Sequence, residues 1–235
     1  MSTHGSIVRD IIKFNSYTSS RDKIYRICQY ASRLVLWYMA RQGKTAGDLQ
    51  EWFQKLEAAM TTSRKLFRLA TSLEFLQKAV DASKVTDNAL VVTILGGMLG
   101  KALWLLIDHL LWLGKVNLVQ VDMKKWSRRA SWFWLVGQIF LVARDVRKLQ
   151  LLMIRAKKIQ RHGEENREST GTLRKDFHTA RLEAAKDILD ILIPLSSLEF
   201  ISKGFGAGGG LLSSFIGFRL EWEKNVRPYT TKVKV

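Results

Sequence analysis

The sequence predicts an all-α fold: a membrane-associated bundle of long helices, partly amphipathic, with one to three membrane-embedded hydrophobic segments. Hydrophobic residues make up 47% of the 235, which excludes a disordered basic tail. Eight Trp against only two Pro suit long helices with aromatic anchors. Apolar positions also recur at helical spacing, most clearly from Arg64 to Asp81. There Leu66, Leu69, Leu73, Leu76 and Val80 stack on one narrow face, while Arg64, Arg68, Thr71, Glu74 and Lys78 lie across the other. The plainer reading of such a helix packs its leucines onto a protein core. Lys65 and Arg68 flank the stripe, however, which fits a helix lying in a lipid interface. In that reading the five apolar residues insert, and Arg64, Lys65, Arg68 and Lys78 meet lipid headgroups, each worth roughly 1 kcal/mol near an anionic leaflet.

The 38 Lys and Arg outnumber the 21 acids, a net charge of +17 that points to a polyanionic partner, either nucleic acid or an acidic membrane. Cys28 is the single cysteine, so no internal disulfide forms, and its spacing between Ile24 and Ala31 reads as a small buried position. Arg9, Asp10 and Lys13 interrupt every early apolar run, which argues against a secretory signal. The residues from Thr231 to Val235 match no receptor-read address, so any organelle address is expected inside the chain.

Taken in order, residues 1–83 form an N-terminal helical region. A short helix around Ile7 to Phe14 precedes Ser19, Ser20, Arg21 and Asp22, whose hydroxyls and carboxylate mark the next helix start. That helix carries Ile24, Ile27, Cys28, Ala31, Val35 and Tyr38 on one face and should end near Gln42 and Gly43. From Asp48, the stripe of Leu49, Trp52, Leu56 and Met60 is out of register with the one starting at Leu66. The offset predicts a kink at Thr61, Thr62 and Ser63 that frees the segment from 64 to 81.

Residues 84–161 are hydrophobic and basic. From Asn88 to Gly114 the apolar run is broken only by Lys101 and Asp108, seven apart on one face, which suits burial in a bundle or an aqueous groove. Gly96 and Gly100 give a small-xxx-small spacing for close helix contact. Segment 88–114 is the best transmembrane candidate. Between Lys124 and Arg161 eleven basic residues face one acid, Asp145. The apolar centre, 130–143, with Trp132 and Trp134, is short for a span and suits one leaflet or packing beside a true span. Basic residues interleaved with aromatics also occur on nucleic-acid surfaces, but a run such as Trp132 to Val136 is too greasy for one, and no nucleic-acid partner is expected.

Residues 162–178 read as an exposed polar loop. Residues 179–235 comprise a helix from Leu182 that Pro194 should end or kink, an apolar stretch from Leu195 to Phe218, and an aqueous tail. Within that stretch Gly204, Gly206 and Gly209 formally match G-x-G-x-x-G, but no strand precedes them and no phosphate-binding lysine follows. Gly206, Gly210 and Ser214 repeat every four residues, the spacing of a tightly packed helix. His4, His109, His162 and His178 share no ligand spacing with one another or with Cys28, and Asp187 and Asp190 are best explained by capping or solvation. No metal, no cofactor and no enzymatic activity are expected.

The block from Thr18 to Leu34, with Arg21-Asp22-Lys23, Arg26, Gln29-Tyr30 and Arg33, resembles the N-terminal block of the peroxin-eleven family. Ser63 to Leu69 resembles its second block, and Asp187 to Leu195 with the glycine stretch and Leu212-Ser213-Ser214 resembles its C-terminal block. Ser20 stands where the family usually has glycine. The resemblance implies a peroxisomal membrane protein that elongates and remodels the membrane ahead of fission. It also implies self-association and recruitment of a dynamin-related GTPase. The same resemblance carries an alternative, a channel for small solutes, which Lys101, Asp108 and Gln138 could line; a structural pairing of Lys101 with Asp108 is the competing explanation.

Overall fold

The computed structural model describes residues 3–43, 47–161 and 167–226, and among these every regular element is a helix. The helices are α1 (Thr3–Ser16), α2 (Thr18–Arg41), α3 (Asp48–Phe67), α4 (Thr71–Ala82), α5 (Asn88–Lys115), α6 (Met123–Arg161), α7 (Arg167–Ser197) and α8 (Lys203–Asn225). Four antiparallel pairings, α2 with α3, α5 with α6, α6 with α7 and α7 with α8, are continued by α2 lying along α8. α3 then touches α5, which closes a ring of six helices, and α4 lies outside against α5.

Small residues set the closest approaches. A Cβ on Gly100 would sit 2.5 Å from the Gly137 Cα, so the α5 and α6 backbones meet there. Gly96 faces the Phe140 ring and Gly97 faces Leu141. On α8, Gly206 packs on Ser196, Gly210 packs on the Tyr30 ring, and the fully buried Ser214 donates to the Gly210 carbonyl. The helix-packing positions Gly96, Gly100, Gly206, Gly210 and Ser214 thus do pack helices, and the helices are this chain's own.

Two helix ends follow from left-handed residues. Asn117 (φ 59°) closes α5, with Leu118 N–H donating to Leu113 O and Asn117 N–H to Gly114 O. Glu199 (φ 67°) closes α7 with the same paired pattern, Phe200 to Leu195 and Glu199 to Ser196. Pro194 therefore does not end α7: its ring nitrogen forgoes the bond to Asp190 O, but the helix runs three residues further and Leu198 N–H reaches Pro194 O at 2.9 Å.

Other expectations are corrected here. Thr61, Thr62 and Ser63 do not break the chain, because Thr62 Oγ1 donates to Ala58 O and Thr61 Oγ1 to the Glu57 carboxylate, leaving both hydroxyls satisfied inside a continuous α3. The break falls instead at residues 68–70, with Ala70 left-handed (φ 63°), so the stretch from Arg64 to Asp81 is two helices and not one. Of the expected loop at 162–178, residues 162–166 lie outside the described residues and the rest is helical. There the buried Leu173 and Ala180 supply the helical stripe that the polar composition hides. Cys28 is free but only half-buried.

Candidate functional site

Two features of the fold bear on function: an outward apolar face and a polar interior. The amphipathic α4 presents Leu73 (65% exposed), Leu76 (39%) and Val80 (63%) outward, with Leu66 at the end of α3 and Leu69 in the break also exposed. Its opposite face packs on α5 and α6, where Ala79, Met98 and Leu141 form a buried cluster flanked by Phe75, Ile94 and Leu95. All five sequence-expected membrane-inserting residues are thereby at least partly exposed. α5 alone among the described helices is long and apolar enough to cross a membrane, with a mean hydropathy of 2.1 over its best window. It exposes Val92, Leu99, Leu103 and Leu106 along one side. Segment 130–143 is the N-terminal half of the 39-residue α6 and turns Trp132, Phe133, Val136 and Ile139 outward. The stretch from Leu195 to Phe218 is divided between the end of α7 and the start of α8, with Phe200, Phe205, Leu212 and Phe215 exposed.

The polar interior overturns the expected placement of three cations. Arg64, Lys65 and Arg68 do not project toward lipid. Arg64 Nε donates to Asp22 Oδ1 at 2.9 Å and its Nη1 to Gln29 Oε1 at 2.6 Å. Lys65 Nζ reaches Asp108 Oδ1 at 2.6 Å and Arg68 Nη2 reaches Asp108 Oδ2 at 2.7 Å, with all three side chains largely buried. Asp108, expected beside Lys101, is held by α3. Lys101 forms no ion pair among the described residues, and its ammonium lies 5.8 Å from the Phe75 ring centre. Of the four expected headgroup residues only Lys78 is exposed.

These pairs explain the break after α3. Asp108 draws the Arg68 side chain onto α5, His109 Nε2 meets Arg68 O at 2.9 Å, and Arg68 Nε bonds back to Arg64 O. The end of α3 is pinned from both sides, so the chain must turn before α4 begins. Further round the ring, Arg26 pairs with Asp190, and Arg144 bridges Asp145 (2.6 Å) and Asp187 (3.1 Å). Asp187 and Asp190 are thus buried in ion pairs, where capping or solvation was expected. Burial pushes the Asp22 carboxyl up, but the Arg64 guanidinium and the Lys23 ammonium outweigh it and hold the group at about 2. Burial lifts Asp145 and the neighbouring Asp187 charge adds to the lift; with Arg144 opposing, it sits at about 6.

Between the ring helices and α4 lies an open-sided cavity of about 560 Å³ whose wall includes Arg26, Arg64, Lys65, Arg68, Lys101 and Asp108. Two residues of this interior or its closure, Gly137 and Trp104, were not among the sequence candidates. Gly137 alone carried a signal, since it is the one glycine in the apolar centre of α6 and marks the crossing with Gly100.

The chain matches the family described as Peroxisomal biogenesis factor 11 (PEX11) over residues 8–222. Peroxisomal membrane protein 11B of Homo sapiens is 32% identical over 143 residues, covering 60% of this chain and 55% of that protein. Peroxisomal membrane protein PMP27 of Saccharomyces cerevisiae is 28% identical over 237 residues, 94% of this chain and 96% of the relative. Peroxisomal membrane protein 11A of Homo sapiens is 26% identical over 230 residues, 87% and 92%. The match therefore spans about half the length of the 11B relative (55%) and nearly all of PMP27 (96%). No solved structure matches the chain. Since the family match runs from within α1 to within α8, the chain belongs to the peroxisomal biogenesis factor 11 family.

Proposed function

We propose that this protein remodels and elongates the peroxisomal membrane by inserting the apolar face of α4 into one leaflet, promoting fission and proliferation of the organelle. The observation that carries this reading is the exposure of Leu66, Leu69, Leu73, Leu76 and Val80 beside a helix of membrane-crossing length and composition. A helix wedged into one leaflet adds area there and not in the other, so the bilayer bends. Self-association would concentrate the bending into a tubule, and a dynamin-related GTPase is the partner that would sever it. None of this needs catalysis by the chain itself, and the protein is proposed to be no enzyme.

The test is electron microscopy of anionic liposomes mixed with the full-length protein. The wild type is expected to draw tubules, and Leu73→Glu with Val80→Glu to abolish them while the bundle stays folded. From their exposed fractions, the face from Leu73 to Val80 holds about 3 kcal/mol of transferable apolar burial, or roughly a hundredfold in partitioning. Tubules from the double variant would remove α4 as the curvature element. A second reading, a solute channel, draws on the charged cavity between the helix ring and α4. Its signature is conductance in planar bilayers that changes in Lys101→Ala.

A further inference from the structure

The cavity is over-supplied with cations. Seven Lys or Arg side chains line it against four acids, and the acids are unevenly shared. Asp190 is taken by Arg26, Asp22 is taken by Arg64 with Lys23 left at 3.9 Å, Asp108 serves both Lys65 and Arg68, and Arg33 is taken by Glu57, which lies outside the lining. Glu74, the fourth acid, stands on the exposed surface of α4. Lys101 has no acid within 4 Å among the described residues, and is half-buried. A bundle interior holding cations this poorly matched leaves a favourable place for a negative charge. The volume, about 560 Å³, falls in the range of small-ligand sites.

One further group narrows the ligand. Gln138 is fully buried on the same wall, and its Nε2 donates to Asp187 O at 2.9 Å. Its Oε1 is buried without any hydrogen-bond partner. Gln138 and Lys101 each lie one residue beyond the Gly100–Gly137 contact, so the unmatched acceptor and the unpaired cation stand on adjoining turns of α5 and α6. A ligand that satisfies both must carry negative charge and a hydrogen-bond donor, and a partly protonated oxyanion supplies the two in one group. Phosphate monoesters, with a second pKa near 6, keep an O–H in part of the population at neutral pH, whereas sulfate and carboxylates do not.

We propose that this cavity is a binding site for a phosphomonoester anion, contacted by Lys101 and Gln138 and surrounded by Lys23, Lys65 and Arg68. The headgroup of a phosphomonoester lipid and a free phosphate share this chemistry. The proposal stands whether or not α4 bends membranes, because it concerns cavity-lining residues and not the outward face of Leu73, Leu76 and Val80.

The test titrates full-length protein in phosphatidylcholine nanodiscs, at low ionic strength, with inorganic phosphate and separately with dioctanoyl phosphatidic acid, read by calorimetry. One saturable site is expected. Lys101→Met should weaken it about tenfold or more, the scale of one charge-assisted hydrogen bond. Lys101→Arg should stay within about threefold, as should the surface pair Lys124→Gln, Lys125→Gln. Sulfate should compete poorly. Binding of phosphatidic acid that inorganic phosphate cannot displace assigns a lipid headgroup; binding of inorganic phosphate at similar strength assigns a soluble anion. Lys101→Met removes an unpaired cation and should fold, checked by circular dichroism and elution; if it does not, Lys23→Met replaces it with the same expected loss. No saturable site for either probe, or a site lost in the Lys124, Lys125 variant and kept in Lys101→Met, would overturn the proposal.

Discussion

Asp108→Asn is the perturbation that tests the polar interior most directly. The Asp108 carboxylate is 8% exposed and accepts from Lys65 at 2.6 Å and from Arg68 at 2.7 Å, and those side chains are 13% and 17% exposed. Losing one partner of a buried pair costs about 3–5 kcal/mol, chiefly because the other charge is stranded. Here two cations are stranded together, although Arg68 keeps its place 5.0 Å from the Trp104 ring and so retains part of its stabilisation. A loss of about 3 kcal/mol is expected, which for a chain of this size lowers the melting temperature by roughly 6–12 °C. Thermal unfolding of the detergent-solubilised protein measures this. Hydrogen exchange adds the location, since the amides of α4 should exchange faster once the end of α3 is released. Replacing all three residues, with Lys65→Met, Arg68→Met and Asp108→Leu, should recover most of the loss. Asp108→Asn within about 0.5 kcal/mol of wild type, the scatter of ordinary surface substitutions, would refute the claim that this cluster closes the ring.

Because Asp145 titrates near 6 in the fold and near 3.8 unfolded, the folded state binds a proton that the unfolded state does not between those values. Stability should therefore fall as pH rises from about 4 to just above 6, by about 1–3 kcal/mol in all, and Asp145→Asn should flatten the melting temperature between about pH 4 and 6.5. Gly100→Ala places a Cβ 2.5 Å from backbone and should destabilise by about 1–3 kcal/mol in denaturant titration, whereas Gly208→Ala meets nothing within 4 Å and should stabilise by about 0.5–1 kcal/mol. Lys124, Lys125, Arg128 and Arg129 are exposed on the first turns of α6, and changing all four to Gln should weaken co-sedimentation with anionic liposomes by about 1 kcal/mol per charge at low salt. That effect should shrink as salt rises. Lys65→Gln should instead lower stability and leave lipid binding alone.

Much of the fold was legible because helix formation leaves a local trace. The end of α2 beside Gly43 and the apolar run of α5 follow from spacing within a turn or two, whereas α2 begins at Thr18 with no side-chain cap, the Ser19 and Ser20 hydroxyls bonding to Glu221 and Asn225. The small-residue repeats were legible as packing positions, though nothing in a repeat says whether its mate is another copy or another helix of the same chain. What stayed hidden depends on partners far along the chain. Asp108 is 43 residues from Lys65, and Asp190 is 164 from Arg26. A helical wheel shows Arg64, Lys65 and Arg68 as the polar side of an amphipathic helix and cannot show that acids wait for them inside. The polar stretch after 162 misled for a related reason: it is the wetter first half of α7, which buries Leu173 and Ala180, and the helix is anchored further on by Asp187, Asp190, Ile193 and Pro194.

The break at Ala70 reconciles two demands that one straight helix cannot meet. In a continuous helix from Arg64 to Asp81, the cations flank the leucine stripe, so turning the stripe to lipid holds the cations near the surface as well. The structure satisfies both by ending α3 where Arg68 is anchored on Asp108 and His109, then restarting α4 after a left-handed residue. A left-handed alanine costs about 1–2 kcal/mol, which the ion pairs at Asp108 offset. The turn lets the cations face the cavity while Leu73, Leu76 and Val80 face outward. The chain's positive charge is thereby divided: one share holds the ring closed, and the exposed share, which includes Lys78, the first turns of α6 and Arg155, Lys157 and Lys158 further along it, stays available to an anionic surface. Attraction to lipid and insertion into it are consequently carried by different residues, and substitutions that separate them should weaken binding without abolishing curvature, or abolish curvature without weakening the initial attraction.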